Sequence, residues 1–165
     1  MFARVVSISL PACRAAAVGI ALVVGTACNA ERAPLDLPEP DGDVFAHEVY
    51  PVLLRDCGSP ACHGASARFF HLVGPGRTRL SDKQAPLDPA TALETLESYR
   101  RTRAMLERDT DGLPLLLRKP LELSAGGASH GGRDAYGRNV YASKQDPNYR
   151  TIARWANGAA KEDAP

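Results

Sequence analysis

The stretch Cys57-Gly-Ser-Pro-Ala-Cys62-His63 decides the fold predicted for this chain. Two thiols flank a short turn, and a histidine follows the second thiol directly. This order suits covalent attachment of haem, in which each thiol adds to one vinyl group and the adjacent imidazole binds the iron. The usual spacing is two residues between the cysteines, and here it is four. Gly58 tolerates unusual backbone angles and Pro60 fixes one, which suits the longer turn.

Two other chemistries stay open for the same pair of cysteines. In an oxidising compartment, Cys57 and Cys62 could instead close a short-loop disulfide. A zinc site is the third option. The adjacent His63 and the helix predicted before the motif favour haem, because a disulfide needs no histidine.

The first 27 residues predict an export signal. Arg4 and Arg14 are the only charges in this segment, and the apolar run 15–27 is too short to span a bilayer comfortably. The small residues 25–27 stand directly before Cys28, as in the cleavage site of a bacterial lipoprotein. We therefore expect cleavage before Cys28 and lipidation of its thiol, with plain secretion and an uncleaved anchor as alternatives.

Charge excludes one class of partner. The chain has 20 basic and 19 acidic residues, and removal of Arg4 and Arg14 leaves 18 basic residues and a net charge of −1. No basic excess remains for nucleic-acid binding. Cys13 leaves with the signal, so Cys57 and Cys62 form the only cysteine pair of the folded part.

The rest of the chain divides into a tether, a domain and a tail. Residues 28–42 are rich in proline and acids, which predicts an extended tether that holds the domain off a membrane surface. Residues 43–160 form the predicted domain, and residues 161–165 are a short tail.

Three helices are predicted in the domain. The first runs from an Asp43 cap to about Asp56, with Pro51 implying a kink or two short helices. The second runs from Asp88-Pro89 to about Arg108, and its buried face is predicted to carry Ala92, Leu93, Leu96, Tyr99 and Leu106. The last runs from Asp146-Pro147 to about Asn157, where Gly158 ends it, and buries Tyr149, Ile152, Ala153 and Ala156.

A helix, a Cys…Cys-His motif, long loops and a last helix with aromatic residues resemble a c-type cytochrome domain. A narrower similarity, to planctomycete-type exported small cytochrome c domains, rests on the order of three segments: Leu115 to Pro120, Ser129-His130-Gly131-Gly132, and Asp146 to Ala159 with Tyr149, Ile152 and Trp155. The resemblance implies a mainly α, cytochrome c-like domain with long loops around one covalent haem. It also implies that the first and last helices pack together, through Phe45, Val49 and Leu53 against Tyr149, Ile152 and Trp155.

The axial ligands follow from the motif and the resemblance. His63 is the expected proximal ligand, and its second ring nitrogen needs an acceptor. Gly74-Pro75 stands where many cytochromes c carry a Gly-Pro pair, so the Pro75 carbonyl is the candidate acceptor. The sixth ligand is expected to be His130, in a glycine-rich loop that permits close approach to the porphyrin, with Met105 as the alternative.

Several side chains near the motif are candidates for the haem pocket. Phe69, Phe70 and Leu72 are expected to contact the porphyrin, and His71 is a weaker candidate. Arg68, Arg77 and Arg79 could pair with the propionates through two parallel hydrogen bonds, although exposed loop arginines are the simpler reading. His47, beside Glu48 on the first helix, is expected to be solvated.

These observations predict an exported monohaem electron carrier rather than an enzyme, placed in the periplasm or cell envelope as a membrane lipoprotein. Its redox partner is not specified by the sequence. An open sixth site would instead predict a haem enzyme or a gas- or peroxide-binding protein. The remaining alternative is a haem-free binding module closed by a Cys57–Cys62 disulfide.

Overall fold

A computed structural model describes residues 37–130 and 139–158. Its contacts divide the chain into Met1–Ala33 and Pro34–Pro165, and the described residues belong to the second unit. The predicted signal, Cys28, most of the tether and the tail lie outside the described residues. None of the described helices has the length and hydrophobicity that a membrane-spanning segment needs.

Helices and long loops make up the described part of the chain. The first helix, α1, passes through α-helical Gly42–Val44, π-helical Phe45–Val49 and α-helical Tyr50–Asp56. It is followed by α2 (Ala92–Ala104), α3 (Leu115–Arg118), a 3₁₀ turn (Leu123–Ala125) and α4 (Pro147–Ala156). Between residues 37 and 158, outside the gap at 131–138, β-pairing is limited to isolated bridges. The mainly α class predicted from the sequence is confirmed.

Pro51 shapes the first helix without ending it. Proline has no N–H to donate to the carbonyl four residues earlier, and the helix widens just before it. The Tyr50 N–H donates to the Phe45 carbonyl, five residues back, which is the π-helical pattern. The cap also differs from the prediction, because the carboxylate of Asp41, not Asp43, accepts from the first free N–H groups at 2.7 and 2.9 Å.

The core lies where α1 meets α4. The rings of Phe45 and Trp155 are 5.2 Å apart, and the indole N–H of Trp155 donates to the Asp41 carbonyl at 2.8 Å. The predicted contact between the first and last helices is confirmed by one buried cluster, which includes Phe45, Val49, Leu53, Tyr149, Ile152 and Trp155. Each of these buried side chains contributes about 2 kcal/mol from the hydrophobic effect.

The end of the predicted tether packs against α2. The Tyr99 hydroxyl donates to the Pro40 carbonyl at 2.7 Å, and the Arg103 guanidinium donates to the Pro38 carbonyl at 2.7 Å. Extended backbone has unpaired carbonyl groups, and these two side chains satisfy them. The folded domain therefore begins a few residues before Asp43.

The buried face of α2 was predicted correctly only in part: Tyr99 packs against the core, and Leu106 is buried just beyond the end of the helix. Leu93 is 61 % exposed, whereas Glu94, Ser98 and Thr102 are fully buried. The helix starts later than Asp88-Pro89 because Thr91 and Glu94 form a capping box. The polar face turns inward since each of its members has a partner: the Ser98 hydroxyl, for example, bonds to the backbone of Val73.

A buried ion pair connects the loop after the cysteine motif to α2. The Arg79 guanidinium donates to both carboxylate oxygens of Glu94, at 2.8 and 3.0 Å. Burial by itself would raise the pKa of Glu94, but the hydrogen bonds from Arg79 and from the Thr91 and Leu80 N–H groups lower it to about 2. A carboxylate whose pKa is lowered on folding stabilises the protein above its unfolded pKa and loses this effect as the pH falls.

Removal of the cation from this pair should destabilise the domain in a pH-dependent way. We expect Arg79→Ala to lower the free energy of unfolding by about 3 kcal/mol at pH 7, because Glu94 is left buried without its partner. The loss should shrink as the pH falls from 4.5 towards 2, where Glu94 takes up a proton. Urea unfolding over this pH range measures the effect, with exposed Arg100→Ala as the control. Equal losses at pH 7 and pH 2.5 would contradict it.

Candidate haem site

The cysteine motif forms a closed loop on the C-terminal end of α1. The Cys57 N–H still donates to the Leu53 carbonyl at 2.9 Å, as the helix ends. The His63 N–H then returns to the Cys57 carbonyl at 3.0 Å, and the Cys62 N–H donates to the Ser59 carbonyl at 2.8 Å. These bonds bring the two thiols and the imidazole to one side of the loop, where all three line a pocket.

Gly58 is required by close packing rather than by its backbone angles. A Cβ atom there would lie 2.7 Å from the Leu54 carbonyl oxygen and 2.8 Å from the Arg77 guanidinium. Its φ is not among the positive values found in the described residues. From the sequence, Gly58 was explained by its tolerance of unusual backbone angles, whereas the structure requires glycine there because a side chain would clash.

The ring of His63 is fixed by a carbonyl that the sequence did not predict. Its Nδ1 lies 2.8 Å from the Phe70 carbonyl oxygen. A carbonyl only accepts, so Nδ1 carries the proton and Nε2 keeps the lone pair that can bind a metal. The prediction that the Pro75 carbonyl accepts this hydrogen bond is therefore wrong. The Leu72 N–H donates to the His63 carbonyl at 2.7 Å, and this bond places the nearby Phe70 carbonyl beside the His63 ring. The adjoining Gly74 packs instead on Tyr50.

His130 faces His63 across the pocket. The two ring centres are 5.9 Å apart and the ring planes differ by 24°. With metal–imidazole bonds of about 2 Å and the ring radii added, two imidazoles on opposite sides of one metal have centres roughly 6 Å apart. Residues separated by 67 positions in the sequence therefore lie in one pocket as a stacked pair of rings, at a separation close to that value.

The pocket between these groups is mainly apolar. Its volume is about 490 Å³, within the range of ~300–1,000 Å³ that is usual for small-molecule and cofactor sites. Besides Cys57, Cys62, His63 and His130, it is lined by Asp56, Arg68, Phe69, Phe70, Met105, Leu115, Leu116, Lys119, Pro120, Ser129 and Val140.

Several predicted pocket residues line this space and others do not. The ring centres of Phe70 and His63 are 4.8 Å apart. Phe69 also lines the pocket, but 91 % of its surface is exposed to solvent. Met105, the alternative sixth ligand, lines the same pocket just beyond the end of α2. Pro75 and His71 are not among the lining residues.

His47 and Leu72 also lie outside the pocket lining. His47 is exposed, as expected. Leu72 is buried in the core instead.

The three candidate arginines have different roles. Arg68 lines the pocket and also donates to the Ala61 carbonyl at 3.1 Å. Arg77 donates to the Leu54 carbonyl at 2.6 Å, and Arg79 is paired with Glu94. Only Arg68 is therefore placed to meet a charged group bound in the pocket.

Two charged residues of the pocket were not predicted from the sequence. Asp56 lies beside Cys57 and accepts from the Tyr141 hydroxyl at 3.0 Å. Lys119 lies on the opposite wall and donates to the Ser129 carbonyl at 3.2 Å. Lys119 could have been predicted, because it lies in the segment Leu115 to Pro120 that supports the resemblance. No pattern in the sequence connects Tyr141 with Asp56, since 85 residues separate them.

Burial controls the chemistry of the first thiol. The pKa of Cys57 is raised to about 12, chiefly by burial and then by the charge of Asp56. Cys57 and Cys62 are not joined in a disulfide. Across the described residues, no group of three or more His, Cys, Asp and Glu side chains is arranged to hold a metal ion.

The raised pKa predicts slow alkylation of Cys57 in the folded, haem-free protein. At pH 8 we expect iodoacetamide to label Cys57 at least about tenfold more slowly than in the urea-unfolded chain, because the thiolate is the reactive form. Peptide fragmentation by mass spectrometry separates Cys57 from Cys62. Equal rates in folded and unfolded protein would show that the thiol is not held in a buried setting.

Comparison of the chain with protein families, curated proteins and solved structures found no match. The site is therefore interpreted from its own residues.

Proposed function

We propose that this chain is a monohaem c-type cytochrome that transfers electrons and is not itself an enzyme. Haem would be attached through Cys57 and Cys62, with His63 as the proximal ligand and His130 as the sixth. The haem supplies one-electron chemistry through its iron, and the protein sets access and potential.

The observation that carries the proposal is the convergence of the predicted ligands. Cys57, Cys62 and His63 come from one motif, and His130 comes from a loop far along the chain. All four line one apolar pocket, and the two imidazoles face each other at 5.9 Å. A disulfide-closed module would need neither histidine in this place.

The residues of the chain fit a covalently bound haem in three ways. The thiols of Cys57 and Cys62 open onto the pocket, so each could form a thioether to one vinyl group by addition of S–H across the double bond. In the neutral His63 ring, Nε2 would be the nitrogen that binds iron, because Nδ1 lies 2.8 Å from the Phe70 carbonyl and carries the proton. The walls are mainly apolar, as a porphyrin requires, and two histidine ligands would lower the reduction potential relative to a histidine and a methionine.

Export and anchoring complete the proposal, on the strength of the sequence. The apolar segment 15–27 and the small residues before Cys28 support a lipoprotein signal. Lipidated Cys28 would attach the chain to a membrane of the cell envelope, with the domain in the periplasm. The partner would be a redox protein, and no nucleic acid is expected.

Covalent attachment can be tested directly. We expect the full chain, matured in a bacterium that carries the haem-attachment machinery, to gain the mass of one haem and to stain for haem after denaturing electrophoresis. The Cys57→Ala, Cys62→Ala double variant should lose both signals, because thioethers alone survive denaturation. Ser59→Ala, inside the same loop, is the matched control and should stain normally. An unstained wild type would refute the proposal.

The sixth ligand can be tested by its effect on spin state. We expect the ferric wild type to be low-spin, and His130→Ala to be high-spin and to bind carbon monoxide when reduced, because one axial position opens. His71→Ala serves as the control histidine outside the pocket. A low-spin His130→Ala protein would assign the ligand to Met105, and a high-spin wild type would favour gas or peroxide chemistry.

A further inference from the structure

The loop that carries His130 lies unusually close to the segment after α3. The His130 loop, residues 126–130, follows the 3₁₀ turn, where Gly126 has a φ of +89° and reverses the chain. From there the backbone runs against residues 118–122. Two adjacent stretches of backbone therefore line the pocket. One carries Lys119 and Pro120, and the other carries His130, the proposed sixth ligand.

Four hydrogen bonds hold the His130 loop, three with residues 118–122 and one with Asn139, which also bonds to residue 121. The Gly127 N–H donates to the Glu122 carbonyl at 3.0 Å, and the Ala128 N–H donates to the Arg118 carbonyl at 3.1 Å. The Lys119 ammonium donates to the Ser129 carbonyl at 3.2 Å. The fourth bond comes from the buried side-chain amide of Asn139, which reaches the Ala128 carbonyl at 3.4 Å and also donates to the Leu121 carbonyl at 2.7 Å.

Gly127 is the point of closest approach between the two stretches. A Cβ atom at this position would lie 1.8 Å from the Leu121 carbonyl oxygen, 2.4 Å from its carbon and 2.9 Å from the Glu122 oxygen. All three atoms belong to backbone, so no side chain can move aside to make room. The loop can occupy its place only while residue 127 has no side chain.

We propose that Gly127 is a positioning residue that sets His130 opposite His63. This inference rests on the proposed function, in which His130 is the sixth ligand. Any side chain at 127 pushes the loop away from residues 121 and 122 and breaks the bonds of Gly127 and Ala128. The displaced imidazole would no longer reach the position 5.9 Å from His63, so a haem held by Cys57, Cys62 and His63 would lack its second histidine ligand.

The test is Gly127→Ala in the full chain, matured with haem. We expect the mass of one haem to be retained, the ferric spectrum to change from low-spin to high-spin, and the reduced protein to bind carbon monoxide. Gly42→Ala is the matched control, because no atom lies within 4 Å of a Cβ added there, and it should remain low-spin. A haem-loaded Gly127→Ala protein with an unchanged low-spin spectrum would overturn the inference.

Hydrogen exchange separates this inference from the proposed function. In the wild type the Ala128 amide should be protected by its bond to the Arg118 carbonyl, with or without haem, and Gly127→Ala should lose that protection. Protection that is unchanged in the variant overturns the positioning role. Absence of haem from the wild type refutes the cytochrome assignment alone, and exchange at Ala128 still decides the role of Gly127 in the loop.

A milder variant covers the case in which Gly127→Ala does not fold. Lys119 is exposed, and Lys119→Leu removes its bond to the Ser129 carbonyl together with its charge on the pocket wall, without adding a group that can bind iron. We expect the reduced protein to bind carbon monoxide about fivefold more tightly than the wild type, which corresponds to the loss of one hydrogen bond that holds the loop. Lys83→Leu, at an exposed lysine in the loop before α2, is the control. Equal affinities in Lys119→Leu and Lys83→Leu would contradict the proposal.

Discussion

The packing of Phe45 against Trp155 is the contact on which the rest of the structure depends. It joins α1 to α4, and the indole N–H reaches back to the carbonyl of the α1 cap, Asp41. With α1 held at this end, its other end presents Cys57 and the loop to His63 in a fixed direction. Pro51 would be expected to interrupt such a helix, but the π-helical turn before it lets the helix continue to the motif.

The candidate site is assembled from segments that contribute one to three functional groups each. The end of α1 supplies the thiols and His63, the loop after it supplies the Phe70 carbonyl, and residues 115–130 supply the opposite wall with His130. The walls are mainly apolar, and among the described residues the Asp, Glu, Lys and Arg side chains that line the pocket are Asp56, Arg68 and Lys119. Such a setting suits a flat, mainly apolar group that carries a few acidic substituents, since a cation has to meet each carboxylate.

Local patterns predicted the ends of α4 well and the face of α2 badly. Asp146 and Pro147 start α4 and Gly158 follows its end, and these residues act only on the backbone next to them. The face of α2 depends on partners distant in the chain. Leu93 and Leu96 were expected inside because leucine is apolar, but Glu94 is buried instead since Arg79 crosses from another loop to neutralise it. The spacing of apolar residues along α2 cannot predict that ion pair, because Arg79 lies in a different segment.

The same division applies to the site. The motif Cys57 to His63 predicted which groups would meet, because adjacent thiols and imidazole lie within one short loop whatever the surrounding fold. Which carbonyl holds the His63 ring, and which of Met105 and His130 faces it, depended on how loops far apart in the chain pack together. The approach of Gly127 to the Leu121 carbonyl is of the same kind, since a steric limit between two backbones exists only once both are in place. Residue types and short spacings fixed the local chemistry, and the distances between segments were decided by folding.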